Sequence, residues 1–132
     1  MGLWGVALEH YHAPRNANGL TAFGDRVGRG CAGAVQSGVE VAFQVVASND
    51  GRLAELRWEC MGPPAAIAAA SWLSEELRGV TPADAGSWTA LAIGEVLHLP
   101  VESMSSVLVV EDALRAALAE LEEHQRSGGS SS

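Results

Sequence analysis

The chain has 132 residues, 48% of them hydrophobic, with a formal net charge of −8. That length suits one domain burying roughly two-thirds of its unfolded surface, so a disulfide or a metal is not needed for folding. The charge excludes non-specific binding to nucleic acid or anionic membranes, which calls for concentrated basic residues, and no stretch approaches the ~20 apolar residues of a membrane-spanning helix.

In chain order, Trp4 to Tyr11 is expected to form a short helix presenting Trp4, Val6, Leu8 and Tyr11, ended by Pro14, which disfavours helix in the residue before it. Asn16-Ala17-Asn18-Gly19 is turn chemistry. From Gly28 to Gly38 the small residues predict a strand edge approached closely by other backbone, or a bulge. Val39 to Ala47 carries Val39, Val41, Phe43, Val45 and Val46 in near alternation and reads as a strand. Asn49-Asp50-Gly51 is a hairpin signal, because Asp and Gly tolerate the positive φ of a tight turn. Leu53, Leu56 and Trp58 make the return strand, ending near Cys60.

Pro63 and Pro64 open a long helix, where a missing amide hydrogen costs nothing in the first turn. Its Ala-rich body, Ala65 to Leu77, is expected to stop at Gly79. Thr81-Pro82-Ala83-Asp84 is a helix start with Thr81 as N-cap. A further helix covers Ala90 to Leu97. The last runs from about Ser105 to Gln125, with Leu108, Glu111, Leu114, Leu118 and Leu121 at helical spacing. Together these predict an α+β domain over 1–126: a small antiparallel sheet of about three strands with helices packed on one face. Residues 127–132 read as a flexible Ser/Gly tail.

Every basic side chain is Arg, and Arg15, Arg26, Arg29, Arg52 and Arg57 lie in the first half. The second half carries more carboxylates, an asymmetry that fits a solvated acidic helix face or a protein partner. Met1 is not followed by the segments of a signal peptide, and Cys31 and Cys60 do not make a disulfide framework. The expected location is cytoplasmic.

The runs His10-Tyr11-His12-Ala13-Pro14-Arg15-Asn16, Val27-Gly28-Arg29-Gly30, Ala66-Ile67-Ala68, Leu97-His98-Leu99-Pro100 and Glu111-Asp112-Ala113-Leu114 follow one another in the order and spacing of a known family. In them the chain resembles the U-type iron-sulfur cluster scaffolds, IscU and the N-terminal domain of NifU, from about Leu8 to Glu123. The resemblance implies a cluster pocket at one end of the sheet, built from three cysteines and an aspartate. On this chain the cysteine positions are Ser37, Pro63 and Ser106, the aspartate position is Val39, and the histidine that usually precedes the last cysteine is Ser105.

Clusters of iron and sulfide are held by soft, anionic thiolates. A serine hydroxyl is hard and stays protonated near neutral pH, while valine and proline cannot coordinate. No cofactor or metal is therefore expected at these positions. Displaced soft ligands could come from Cys31, Cys60 and His98, although a lone buried cysteine more often acts as a small hydrophobe. Ser103 and Ser105 read as helix caps rather than nucleophiles, since no histidine is near in sequence to act as a base.

The expected role is that of a scaffold-like protein that has lost its ligands and kept its surfaces. It would be an adaptor, regulator or structural partner in cluster assembly or metalloenzyme maturation, and not an enzyme. The resemblance places partner binding, with a cysteine desulfurase among the candidates, on His10, Tyr11, Pro14, Arg15 and Asn16. It also places a chaperone-read run at Leu99-Pro100-Val101-Glu102-Ser103, which here lacks the family's second proline and lysine. The alternatives are a cluster or metal carrier that borrows ligands from a partner or a second copy, hence a homo-oligomer, and a small-molecule binder using the emptied pocket.

Overall fold

Phe43 sits at the centre of the molecule, fully buried in the middle of the middle strand. The computed structural model describes residues 3–130. Three strands, β1 (Val27–Ala34), β2 (Val39–Ala47) and β3 (Leu53–Met61), form an antiparallel sheet in the order β1-β2-β3. Five helices accompany them: α1 (Gly5–His12), α2 (Pro64–Glu76), α3 (Pro82–Ala85), α4 (Ala90–Leu97) and α5 (Met104–Ser130). The fold is the α+β arrangement expected from the sequence.

Alternation in β2 decides which face is covered. Val39, Val41, Phe43, Val45 and Ala47 are buried beneath α2 and α5, whereas Glu40 points the other way. Burial of such side chains supplies about 1.5–3 kcal/mol each for the large ones. The β2–β3 hairpin turns where Asn49-Asp50-Gly51 predicts: Gly51 has φ +86° and Asp50 Oδ1 accepts the Arg52 amide at 3.0 Å.

The glycines of β1 let α5 lie directly on the strand. A Cβ at Gly28 would stand 2.1 Å from the Ala117 carbonyl oxygen, and one at Gly30 would stand 2.3 Å from the Ala117 amide nitrogen. This is the close backbone approach expected from the small residues. The outer edge of β1 is partly closed by α5 as well, since Glu120 accepts the Arg29 amide at 2.8 Å and His124 Nδ1 donates to the Val27 carbonyl at 2.8 Å.

Some details differ from expectation. Trp4, just before α1, and Val6, Leu8 and Tyr11 within it are exposed, and the helix instead buries Ala7 and His10. Small Ala7 fits the close approach of α1 to α2, and His10 finds a hydrogen-bond partner there. In α5 the buried stripe is Val107, Val110, Leu114, Ala117 and Leu121, so Leu108 lies off it and is half-exposed. Helix α5 also continues to Ser130, into the expected tail, because each added residue extends an existing ladder by one hydrogen bond. Ser131 and Ser132 lie outside the described residues.

The second face of the sheet is not bare. The segment before β1 crosses it, and Gln44 is buried there, its Oε1 accepting the Ala22 amide at 3.0 Å and Arg29 Nε at 3.2 Å. Asn16 to Asn18 pairs with the free edge of β3 through a parallel bridge between Ala17 and Trp58. Asn16 and Asn18 both take positive φ, 63° and 67°, as their turn chemistry allows. Among the described residues no helix is long and apolar enough to cross a membrane.

Candidate site at the tip of the sheet

Three chain segments meet at one end of the sheet: the β1–β2 connection, the β3–α2 connection and the first turns of α5. A Cβ on Gly62 would stand 3.4 Å from Val39 Cγ1, and one on Gly33 would stand 2.2 Å from the Val39 carbonyl oxygen and 3.0 Å from Val109 Cγ1. Ser106 lies one helical turn before Val109. The positions singled out by the resemblance therefore belong to segments that converge.

Their side chains offer little to a metal. Ser37 is exposed, and its hydroxyl donates to the Ala34 carbonyl at 2.7 Å, closing the turn between β1 and β2. Val39 is 8% exposed and packs into the core. Pro63 precedes α2 in extended conformation as its N-cap, with no side-chain cap bond. Ser105 is exposed and Ser106 is buried in the first turn of α5. Two hydroxyls, an isopropyl group and a pyrrolidine ring do not fit the thiolate chemistry of iron and sulfide, nor a sulfur-nitrogen zinc site.

Cys31 and Cys60 both border one hollow on the sheet, but their side chains do not converge. Cys31 shares a cross-strand row with Ala42 and Glu59, whereas Cys60 shares the adjacent row with Val41 and Ala32. Adjacent rows point to opposite faces of a pleated sheet, so the two thiols are separated by the sheet itself. Cys31 is exposed on the open face, while Cys60 is half-buried on the helix side, where burial pushes its thiol up to about 11. His98 ends α4 in the left-handed conformation, φ 53°, with its ring 5.9 Å from that of Trp4. Among the described residues no group of three or more His, Cys, Asp and Glu side chains is placed to hold a metal ion.

The residues expected to meet a partner divide in two. Tyr11 and Pro14 are exposed. His10 is 4% exposed and turned inward, so it cannot offer its ring to another protein. Its Nδ1 lies 2.7 Å from Ser71 Oγ, which also accepts the Arg15 amide at 2.9 Å. With that amide donating to it, the Ser71 hydroxyl hydrogen is free for His10 Nδ1. The Arg15 carbonyl accepts Trp58 Nε1 at 2.7 Å and Ser74 Oγ at 3.1 Å, and Asn16 Nδ2 donates to Ser74 Oγ at 3.0 Å. Arg15 and Asn16, half-buried, thus tie the segment after α1 to α2 and β3.

Sequence reasoning missed Ser71, Ser74 and the indole of Trp58 as parts of this network. Their signal was present: two serines three residues apart, hence on one face, inside an otherwise alanine-rich helix.

Comparison with known proteins places this geometry. The family model for the NifU-like N-terminal domain matches residues 4–127. The chain is 30% identical over 118 residues to the iron-sulfur cluster assembly scaffold protein IscU of Haemophilus influenzae, covering 89% of this chain and 94% of that one. It is 29% identical over 113 residues to the iron sulfur cluster assembly protein 1, mitochondrial, of Yarrowia lipolytica, covering 86% of this chain and 62% of that protein's length. The fold superposes on the crystal structure of an N-terminal NifU-like protein from Brucella abortus with a TM-score of 0.67 at 18% identity, covering 91% of this chain and 94% of the other.

Proposed function

Because this chain belongs to the NifU-like N-terminal domain family, we propose that it serves iron-sulfur cluster assembly as a scaffold-shaped adaptor, one that engages assembly proteins without itself holding the cluster. One observation carries the reading. The tip of the sheet is assembled from the expected segments, yet Ser37, Val39, Pro63 and Ser106 bring no thiolate to it. Ligand identity governs here, since iron and sulfide are held by soft anionic donors and a protonated hydroxyl is neither soft nor anionic.

The surface that remains for partners is the exposed side of α1 and the turn after it, where Tyr11 and Pro14 face solvent. The network behind it fixes that surface: Arg15 and Asn16 are bonded to α2 and β3, so Pro14 is presented in one conformation rather than many. Preorganisation of this kind lowers the entropy cost of binding. Affinity capture of the full chain from its own cells tests the reading, with a cysteine desulfurase or another cluster-assembly protein as the expected prey. Recovery of none, from a capture that retains a known assembly complex as control, would count against it.

A second reading is favoured by Cys31 alone. Its exposed thiol on the open face of the sheet is available to a second copy or a partner, which could supply the donors a cluster needs. In that case the chain would be a carrier with a shared site, and exchange of Cys31 for Ser would abolish iron binding.

A further inference from the structure

A groove on the surface beside the start of α5 is lined by Leu91, Gly94, Glu95, His98, Leu99, Val101 and Met104, with a volume of about 490 Å³. Its walls expose large apolar side chains to water: Leu91 is 67% exposed and Val101 85%. Trp4, 63% exposed, extends the apolar surface past the ring of His98. The floor is the thioether of Met104 beside Gly94. Met104 Cε lies against Gly94, 2.5 Å from where a Cβ would stand, and as the free end of a flexible side chain it can move aside. Methionine is the side chain that adapts best to a variable apolar partner.

We propose that this groove binds a basic amphipathic helix of a partner protein. The occupant's shape follows from the lining. Leu91, Gly94 and Glu95 stand at i, i+3 and i+4 along α4, the spacing at which a second helix interdigitates, and His98 closes the row at the helix end. Among the described residues α4 packs mainly on α5, α1 and α2 rather than on a strand, so an extended peptide has no edge to pair with there. The occupant's charge follows from the rim. The ionisable side chains lining the groove are Glu95 and His98, exposed Glu102 follows Val101, and the chain as a whole carries −8. A second copy is disfavoured for the same reason, since a two-fold contact would set Glu95 and Glu102 against acidic copies of themselves. The inference goes beyond the adaptor role, because it holds whether or not the chain carries a cluster.

The test uses the full chain labelled with nitrogen-15 and two synthetic helical peptides of one pattern. One has leucines at i, i+4 and i+7 with lysines elsewhere; the other replaces the lysines with glutamates. The leucine-lysine peptide is expected to shift the amide signals of Leu91, Gly94, His98 and Val101 at low salt, and the leucine-glutamate peptide to shift none. The double variant Glu95→Lys with Glu102→Lys should weaken binding at least tenfold, and Leu91→Ser, at an exposed position, should weaken it comparably while leaving the rest of the amide spectrum unchanged. The control Glu122→Lys with Glu123→Lys removes equal charge from α5 and should change affinity less than twofold. The proposal is overturned if the shifts map to α5 instead, if the control variant weakens binding as much as the groove variant, or if the groove signals move with protein concentration alone, which would mark a second copy as the occupant.

Discussion

The guanidinium of Arg15 lies over the face of the His10 imidazole, its Nη1 3.1 Å from Nδ1 and 3.2 Å from Nε2. An atom nearly equidistant from both ring nitrogens at that range would collide with Cε1 if it lay in the ring plane, so the contact is a stack. A stacked cation disfavours a second positive charge on the ring. Burial, and then Arg15, hold the His10 pKa below its ordinary 6.5, against smaller opposing effects of Glu75 and Glu9.

The sign of the resulting pH dependence is fixed. A histidine depressed in the folded state binds fewer protons than in the unfolded chain, so its stabilising contribution is fully present above pH 6.5 and is lost as pH falls toward the lower folded value. The midpoint of urea unfolding should therefore drop between pH 7.5 and 5.5. In His10→Gln that drop should shrink, and an unchanged slope would assign the effect to other groups.

Ser71 supports both halves of this stack, accepting the Arg15 amide and meeting His10 Nδ1 while fully buried. Ser71→Ala removes the partner of the buried His10 Nδ1 and of the half-buried Arg15 amide, at a cost of about 1–3 kcal/mol for the buried group left unsatisfied. Equilibrium unfolding of the variant measures this, and a loss below about 0.5 kcal/mol, the usual effect of a neutral surface change, would show that water replaces the hydroxyl.

The two cysteines should differ sharply in reactivity. The Cys60 thiol, raised from 9.0 to about 11 by burial, has about a hundredfold less thiolate at neutral pH than an unperturbed cysteine, and the thiolate is the reactive form. Titration with a thiol reagent at pH 7.5 should label one exposed site, Cys31, promptly and Cys60 only on unfolding. Equal rates would mean that the edge of β3 opens readily.

Glycines of β1 and of the following turn should tolerate substitution very differently. Gly30→Ala sets a methyl 2.3 Å from the α5 backbone, so the cost should exceed the usual 1–3 kcal/mol of overpacking a core. Gly38→Ala meets nothing within 4 Å and strains only its positive φ of 78°, at about 1–2 kcal/mol. Thermal unfolding of the pair should rank them in that order.

Much of this architecture was legible in the residues. The alternation of Val39 to Ala47 defined β2, Thr81 was readable as a cap and accepts the Asp84 amide at 3.2 Å, and the glycines of β1 announced close packing before the helix lying on them was known. The sides of α1 were not legible, because its bulky residues are the exposed ones and its buried ones are an alanine and a histidine. What decides that is the matching surface of α2, which is long-range information. The same holds for Cys31 and Cys60: their separation depends on strand register, and a shift of one residue would have put both on one face. His98 takes a left-handed conformation usually filled by glycine, and nothing local in Leu97-His98-Leu99 marks it.

Anaerobic reconstitution of the full chain with ferrous iron and sulfide, followed by desalting, addresses the adaptor reading most directly. A colourless protein is expected, without charge-transfer absorption in the visible and without retained iron. A brown protein whose absorption and iron survive desalting would contradict that reading, and loss of both in the Ser37→Ala, Ser106→Ala double variant would assign the cluster to the tip of the sheet.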